Sequence, residues 1–256
     1  VVRGKINGNT WMDEEVVCEA PHETYHKTRH HYGNRIVFDS DGHLYFSIGD
    51  RGFQDLAQDL SRPNGKIHRV WPDGSVPNDN PFLDAEGALP SIYSFGHRNP
   101  QGISVHPMDG RIWASEHGPM GGDELNVVRA AANYGWPEIT YGLNYNGALV
   151  TDRTRADGLE QPALYYRPSI AVCGIEFYQG GEFPLWEGKL IVGALKYEEV
   201  ILTTIADERV IHQETILKNA GRVRDVGVDS SGAGSIVTEQ PGRVWKLTQI
   251  RERKYR

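Results

Sequence analysis

The sequence predicts an all-β fold, a β-propeller built from four-stranded antiparallel blades. One strand-turn-strand pattern occurs four times, about 50 to 70 residues apart, at 36–49, 103–115, 175–193 and 226–238. Helical periodicity is nearly absent, and the best short helix candidate is 123–132. A hairpin repeated at this spacing is typical of a radial array of blades, whereas a β-sandwich has turns about every 8–12 residues without a long repeat.

The clearest hairpin lies at 35–49. Two runs of alternating apolar and polar residues, 35–39 and 43–49, flank the turn Ser40-Asp41-Gly42. This alternation is typical of half-buried strands joined by a tight turn. A weaker hairpin is expected within 1–20, and shorter strands are expected at 66–70, 200–205 and 243–247.

Composition indicates one large all-β domain, 1–256, because the 256 residues contain no linker or composition shift. A net charge of −7 argues against a surface for nucleic acid or anionic membrane, and no apolar run is long enough to cross a bilayer. Cys18 and Cys173 are too few for a disulfide framework and are expected to be small buried hydrophobes. The segment 249–256 is predicted to be a basic, frayed C-terminal tail.

The segment 22–26 matches the zinc-binding pattern H-E-x-x-H. That pattern binds zinc only on a helix, where residues four apart share a face. Here the segment lies between Pro21 and Gly33 and contains almost nothing apolar. We therefore interpret it as a solvated loop.

An acidic, glycine-rich loop runs from Glu116 to Glu124. Glycine and proline allow sharp turns that expose carbonyl oxygens, and Asp123 and Glu124 add two adjacent carboxylates. Such oxygen ligands suit a hard cation, calcium above all. The alternative is a solvated acidic turn.

Four cations stand beside predicted strands in this acidic chain. Arg98 precedes one hairpin, Lys196 follows the apolar strand 190–195, and Arg222 and Arg224 flank one residue, so that both point the same way on a strand. Because Arg binds carboxylates in a bidentate manner and Lys acts as a point charge, the set predicts an anion site. Scattered surface ion pairs are the alternative.

Three motifs carry a family resemblance: GHRNPQG at 96–102, SEHGP-x-GGDE at 115–124 and NYGWP at 133–137. Together they resemble the soluble quinoprotein sugar dehydrogenases, the glucose/sorbosone and aldose sugar dehydrogenases that use pyrroloquinoline quinone (PQQ) and calcium. The likeness is closest to the aldose sugar dehydrogenase branch and extends from about His31 to Leu247. Several motifs in the family's order are far more specific than one short pattern.

The resemblance implies roles for particular residues. The tricarboxylate PQQ would be held by Arg98, Asn99, Ser169, Lys196, Arg222 and Arg224. The carbonyls of Gly118 and Pro119 would bind the calcium that touches PQQ, while a second, structural calcium would be bound by Asp123, Glu124 and Tyr134. His31, four residues before Arg35, would be the base that removes the anomeric hydroxyl proton, with His30 as the competing candidate.

The resemblance also sets expectations for the whole protein. The relatives look six-bladed, so an N-terminal part is expected to be missing from a chain with four hairpins. A sugar substrate, an external electron acceptor and a periplasmic or extracellular location are implied. Arg167-Pro168 stands where some relatives carry an aromatic residue beside the quinone. Two other functions remain open, a non-catalytic propeller that binds sugar or a protein, and a calcium-dependent lactone hydrolase.

Overall fold

The computed structural model describes residues 1–250 of the chain. Its contacts divide the chain into two compact units. The first unit contains 1–99, 129–138 and 157–160, and the second contains 100–128, 139–156 and the rest of the chain from 161. Each unit is described by itself, and the single domain expected from composition stays a prediction.

The first unit contains a two-stranded hairpin and one four-stranded antiparallel sheet, in which consecutive strands are neighbours. The hairpin confirms the one expected within 1–20. The strands are β1 (Val2–Asn7) and β2 (Thr10–Val16) in the hairpin, and β3 (Gly33–Phe38), β4 (Leu44–Ile48), β5 (Lys66–Val70) and β6 (Ile92–Phe95) in the sheet. Short 3-10 turns lie at His22–Thr24 and Gln54–Ala57.

The second unit contains three antiparallel sheets, two of four strands and one of three strands within the described residues. The first sheet consists of β7 (Pro100–Val105), β8 (Ile112–Glu116), β9 (Asp123–Val128) and β10 (Leu164–Tyr166). The second consists of β11 (Val172–Phe177), β12 (Leu190–Ala194), β13 (Glu199–Ala206) and β14 (Arg209–Leu217). The third consists of β15 (Arg222–Val228), β16 (Gly234–Glu239) and β17 (Arg243–Leu247), and a 3-10 turn lies at Pro184–Trp186.

The four predicted hairpins occupy equivalent places in their sheets. Each one forms the first two strands, in chain order, of a separate antiparallel sheet: β3–β4, β7–β8, β11–β12 and β15–β16. The shorter strands expected between them are β5, β13 and β17. The alternation of apolar and polar residues therefore predicted the four hairpins and three further strands, but not β6, β9, β10 and β14.

The helix candidate at 123–132 is wrong, because Asp123–Val128 forms β9. This strand lies between β8 and β10, and its residues Leu125, Val127 and Val128 are buried. Within β9, Leu125 and Val127 alternate with the polar Glu124 and Asn126, which is the period of a strand, and so short an alternation is easily mistaken for part of a helix.

The core of the second unit lies between its sheets. One cluster packs Trp113 of β8 and Leu125 of β9 against Val172, Phe177 and Val192 of the following sheet. Close packing of this kind couples the inner strands, so a change in one sheet is felt by the next. In the first unit a smaller cluster packs around Leu44, Phe46 and Val70.

The H-E-x-x-H segment is a single 3-10 turn followed by loop, as the absence of apolar residues predicted. Within residues 1–250, the one group of three or more His, Cys, Asp and Glu side chains close enough to share a metal ion is Asp39, Asp41 and His43. The zinc interpretation of 22–26 therefore has no support. Both cysteines are free, with Cys173 buried and Cys18 half-buried.

The predicted basic tail falls at the edge of the described chain. Gln249 and Ile250 are exposed, while 251–256 lie outside the described residues. Within the described residues, no helix is both long and apolar enough to traverse a lipid bilayer.

Lys66 fastens the loop between β4 and β5 in the first unit. Its fully buried ammonium donates hydrogen bonds to the carbonyls of Leu56 (2.8 Å), Ala57 (3.0 Å) and Asn64 (2.7 Å). Burial lowers the pKa of Lys66 from 10.5 to about 7, because water no longer solvates the charge.

Lys66 should make the stability of the protein depend on pH in the alkaline range. Between about pH 7 and 10 the unfolded chain keeps the Lys66 proton while the folded chain has lost it, so the free energy of unfolding should rise with pH. The slope from this group is at most about 1.4 kcal/mol per pH unit. Urea unfolding at pH 7, 8 and 9 should show a flatter profile for Lys66→Met, whereas Lys246→Met, on an exposed side chain, should keep the parent slope. Equal slopes in the parent and Lys66→Met would contradict the lowered pKa.

Candidate active site

His31 is held in an unusual backbone conformation at the start of the first four-stranded sheet. Its φ of 47° lies in the left-handed region, which side-chain-bearing residues seldom adopt. The chain must also pass very close to β4, because a Cβ at Gly49 would overlap the His31 carbonyl oxygen. The His31 ring is half-buried. Its direction is set by the left-handed backbone at His31 and by the close approach of Gly49.

A buried carboxylate fixes the orientation of the His31 imidazole. Asp50, 1% exposed, follows β4 and accepts a hydrogen bond from His31 Nδ1 at 2.5 Å. The same carboxylate accepts hydrogen bonds from the Gly52 amide (2.7 Å) and from Trp136 Nε1 (2.8 Å). Three donors hold Asp50 in place, so the carboxylate in turn holds the ring.

This arrangement gives His31 the chemistry of a general base. A neutral imidazole that donates from Nδ1 keeps an acceptor lone pair on Nε2, and the adjacent carboxylate stabilises the imidazolium that forms when Nε2 takes a proton. His30 is exposed, and its ring centroid lies 6.2 Å from that of His31. Among the described residues, His30 has no carboxylate partner.

Arg98 and Asn99 lie beside the same pair. The Asn99 Oδ1 atom accepts the Gly33 amide at 3.0 Å, and the Arg98 carbonyl accepts the Asp50 amide at 2.8 Å. The Arg98 guanidinium lies 5.3 Å from the centre of the Trp136 ring. The structure therefore brings the predicted base and two of the predicted cofactor ligands into one cluster of the first unit.

Tyr134, predicted as a calcium ligand, also belongs to the first unit. Its ring stacks on His97 at 4.5 Å, and its hydroxyl oxygen accepts the Arg129 amide at 2.9 Å. The Tyr134 side chain therefore supports the 129–138 segment, and its role as a metal ligand stays a prediction.

In the second unit, the predicted calcium loop is compact and rich in carbonyl oxygens. The carbonyls of Gly121 and Gly122 approach Gly118 so closely that a Cβ there would overlap them. Within residues 1–250 the Pro119 carbonyl accepts no backbone hydrogen bond. An oxygen that lacks a donor, in a loop whose other carbonyls converge, suits a hard cation.

Asp123 organises this loop. Its Oδ1 atom accepts Ser169 Oγ at 2.6 Å and the Gly118 amide at 3.1 Å, and its Oδ2 atom accepts the Val172 amide at 3.2 Å. Because protein donors already satisfy both oxygens of this fully buried carboxylate, Asp123 is better suited to hold the loop than to bind calcium directly.

Glu124 is less well satisfied and faces a second carboxylate. It pairs across the sheet with the buried Glu116, and it accepts one bond from Asn126 Nδ2 at 3.0 Å. Burial, reinforced by the charge of Glu116, raises the pKa of Glu124 to about 8. The buried Oδ1 of Asn126 has no hydrogen-bond partner among the described residues. Three oxygen-bearing side chains with surplus negative charge fit calcium.

Ser169 and Lys196 lie next to each other in the second unit. The Lys196 amide donates to the Ile170 carbonyl at 3.0 Å, one residue beyond Ser169. The exposed Lys196 ammonium makes no hydrogen bond or ion pair within residues 1–250, and Tyr197 lies 5.8 Å away. Lys196 is thus available to an anion, and Ser169 connects it to the calcium loop through Asp123.

Arg222 and Arg224 point the same way, as their spacing predicted, and share one carboxylate oxygen. The Oε1 atom of Glu239 accepts Arg222 Nε at 2.7 Å and Arg224 Nη2 at 2.8 Å. The hydrogen bond to Arg224 is the largest of the contacts that lower the pKa of Glu239. Arg224 also contacts Cys173 on β11. The two guanidinium groups are therefore held side by side by one carboxylate oxygen.

Sequence reasoning missed Asp50 and Glu239, and it included Glu116 and Trp136 only as members of motifs, without a role. Asp50 lies in Gly49-Asp50-Arg51-Gly52 at the end of a strand, a pattern that could have indicated a functional carboxylate. Glu239 had no local signal, because its arginine partners lie 15 and 17 residues away.

Comparisons with known proteins agree with this architecture. Residues 1–246 match the model of the Glucose / Sorbosone dehydrogenase family. Aldose sugar dehydrogenase YliI of Escherichia coli (strain K12) is 40% identical over 225 residues, covering 86% of this chain and 61% of the relative. The chain thus spans about three fifths of the length of the curated relatives it matches.

Solved structures extend the likeness. A crystal structure of glucose dehydrogenase matches with a TM-score of 0.92 at 33% identity, covering 97% of this chain and 73% of that one. The PQQ-bound form of aldose sugar dehydrogenase from Streptomyces coelicolor matches with a TM-score of 0.74 at 27% identity, covering 95% and 68%.

The sheets and their likeness to these structures define a β-propeller protein, as the repeated hairpin predicted. The chain belongs to the glucose/sorbosone dehydrogenase family, which confirms the resemblance found in its motifs.

The Asp50 carboxylate should set the tautomer of His31. We expect neutral His31 to carry its proton on Nδ1, because Asp50 Oδ1 accepts from that atom. The ¹⁵N chemical shifts of the ring should show this tautomer in the parent and a mixture in Asp50→Asn. His30, which has no such partner in the described structure, should report the same shifts in both proteins. A parent His31 protonated on Nε2 would contradict the assignment.

Proposed function

We propose that the protein oxidises aldose sugars at C1 to the lactone, using PQQ and calcium. The observation that carries the proposal is the His31–Asp50 pair, which leaves the imidazole Nε2 atom as an acceptor. Membership of the glucose/sorbosone dehydrogenase family supports it, as do relatives named aldose sugar dehydrogenase, one of them solved with PQQ bound.

The cations are proposed to hold the carboxylates of PQQ. Lys196 has no ion pair within residues 1–250, and Glu239 holds the Arg222 and Arg224 guanidinium groups side by side. Arg98 and Asn99 are the corresponding candidates in the first unit, and Ser169 contributes a hydroxyl. When bound, PQQ supplies an ortho-quinone that accepts the hydride from C1 of the sugar.

Calcium is proposed to be bound by the oxygens of the second unit. The carbonyls of Gly118 and Pro119 are the candidates beside the cofactor. For a second ion, Glu124 fits together with Glu116, whose charge raises the Glu124 pKa. Asp123 would act through the loop that it holds, since its oxygens already accept three hydrogen bonds.

His31 is proposed to move the proton. Its Nε2 atom takes the proton of the C1 hydroxyl as the C1 hydride leaves, and Asp50 stabilises the resulting imidazolium. An external electron acceptor and a periplasmic or extracellular location complete the proposal, on family resemblance. A non-catalytic sugar-binding propeller and a lactone hydrolase remain the competing functions, and the experiment below separates them.

Removal of the proposed base should slow the reduction of the quinone by sugar without weakening the binding of PQQ and calcium. His31→Ala should still bind PQQ and calcium, because His31 acts only on the proton in the transition state. Bleaching of bound quinone by aldose in a single turnover should slow by about 10²–10⁴-fold, the usual contribution of a positioned general base. A single turnover is used because it needs no external electron acceptor.

The neighbour His30→Ala serves as the matched control and should retain most of the rate. His22→Ala combined with His26→Ala should also leave the oxidation intact. A His31→Ala protein that bleaches at the parent rate would remove His31 from the mechanism. If the parent binds PQQ but sugar never bleaches it, a non-catalytic binding protein is indicated, and lactone cleavage without any redox change would indicate a hydrolase.

Calcium should stabilise the folded protein. An ion that binds only the folded state adds about 2.7 kcal/mol at a hundredfold excess over its Kd. Glu116→Gln combined with Glu124→Gln should abolish much of the rise in melting temperature on adding calcium, since both side chains are proposed ligands. Asp109→Asn, an exposed carboxylate change in the same unit, should keep the full rise. An unchanged melting temperature of the parent in EDTA would refute the calcium proposal.

A further inference from the structure

Two stacked tyrosines and an arginine form a surface cluster that the proposed oxidation does not use. The rings of Tyr141 and Tyr165 lie parallel, with centroids 3.8 Å apart and an interplanar angle of 5°. Tyr165 is 44% exposed, and Arg167, two residues further along the chain, is also exposed. These three residues are called the tyrosine–arginine patch.

The patch adjoins the loop proposed to bind calcium. Arg167 Cγ lies 3.7 Å from the position that a Cβ on Gly121 would occupy, and the Tyr141 carbonyl lies 4.0 Å from it. Gly142, which follows Tyr141, packs so closely on the Pro119 ring that a Cβ there would lie 2.8 Å from Pro119 Cγ. The patch therefore lies next to the calcium loop within the second unit.

The Arg167 guanidinium is available for a ligand. Within residues 1–250 it makes no hydrogen bond, ion pair or ring contact. Arg111 pairs with Glu208, and both Arg222 and Arg224 pair with Glu239, whereas Arg153, Arg155 and Arg209 resemble Arg167 in having no ion pair within residues 1–250; what distinguishes Arg167 is its place beside Gly121. In a chain with a net charge of −7, an unpaired arginine beside a proposed cofactor loop is a localised attraction for anions.

The stacked rings offer a flat apolar surface of fixed orientation. The Tyr141 hydroxyl donates to Gln161 Oε1 at 2.8 Å, which anchors one ring and, through the stacking, orients the other. The face of an aromatic ring carries negative charge density and attracts the polarised C–H groups of a sugar ring. An arginine fork next to such a surface recognises a carboxylate by two parallel hydrogen bonds.

We infer that the tyrosine–arginine patch binds an acidic sugar unit, a pyranose ring bearing a carboxylate. The ring lies on the exposed Tyr165 face and the carboxylate pairs with Arg167. This inference rests on the proposed oxidation of aldoses and names a substrate class for it: uronic acids, or oligosaccharides that carry one next to the oxidised end.

The test compares two glycosides that differ only in the carboxylate, methyl β-glucuronide and methyl β-glucoside. Their methyl group blocks oxidation at C1, so the titrations measure binding alone, by NMR chemical-shift changes, with and without PQQ and calcium. The parent should bind the glucuronide about three- to tenfold more tightly, the range from an exposed ion pair to a charge-assisted hydrogen bond.

Variants assign this preference to residues. Arg167→Gln should bind the two glycosides equally, while Arg155→Gln, which removes the same charge from another exposed arginine of the second unit, should keep the parent preference. Tyr165→Ala should weaken both glycosides, and Tyr165→Phe, which keeps the ring, should restore binding. Equal affinities in the parent, or an undiminished preference in Arg167→Gln, would overturn the inference.

The outcomes also separate this inference from the proposed function. A parent that is bleached by glucose but does not prefer the glucuronide leaves the oxidation standing and refutes the acidic-sugar subsite. A parent that prefers the glucuronide through Arg167 but never reduces PQQ supports the subsite on a protein that binds sugar without oxidising it.

Discussion

The buried carboxylate of Asp50 is the interaction on which the candidate active site depends. It accepts hydrogen bonds from His31, Gly52 and Trp136, which come from three separate segments of the first unit. A carboxylate that is 1% exposed must be satisfied, because a buried charge without partners costs several kcal/mol or more. The buried Asp50 carboxylate must be hydrogen-bonded, and one of the donors that meet this need is the His31 imidazole. The same hydrogen bond therefore orients the group that is proposed to move the proton.

In the second unit, the number of protein hydrogen-bond donors distinguishes a structural carboxylate from a candidate calcium ligand. Asp123 receives three donors and joins the loop before β9 to the start of β11. Glu124, its neighbour in sequence, receives one side-chain donor and faces Glu116 across the sheet. Two adjacent acidic residues thus have different chemistry because consecutive residues of a strand face opposite sides of the sheet.

Local pattern was sufficient to predict the hairpins, because strand alternation and turns that end in glycine are properties of a few consecutive residues. The turn at Ser40-Asp41-Gly42 is one example, and Met108-Asp109-Gly110 and Ser230-Ser231-Gly232 are others. The same reasoning failed at 123–132, where the alternation in β9 covers only Glu124 to Val127 and is too short to exclude a helix by itself. The motif resemblance supplied the family and the identities of candidate ligands, which periodicity could not.

The sequence by itself determined the all-β class, the four hairpins, the acidic glycine loop and the candidate roles of His31 and the cations. Only the tertiary structure decided which groups meet: Asp50 with His31 and Trp136, Glu116 with Glu124, and Glu239 with both Arg222 and Arg224. The physical reason is that hydrogen bonding and burial act over a few ångströms, while these partners lie 8 to 86 residues apart in the chain. Turns and strand alternation depend on neighbouring residues, whereas the charge and orientation of a site depend on side chains that folding brings together.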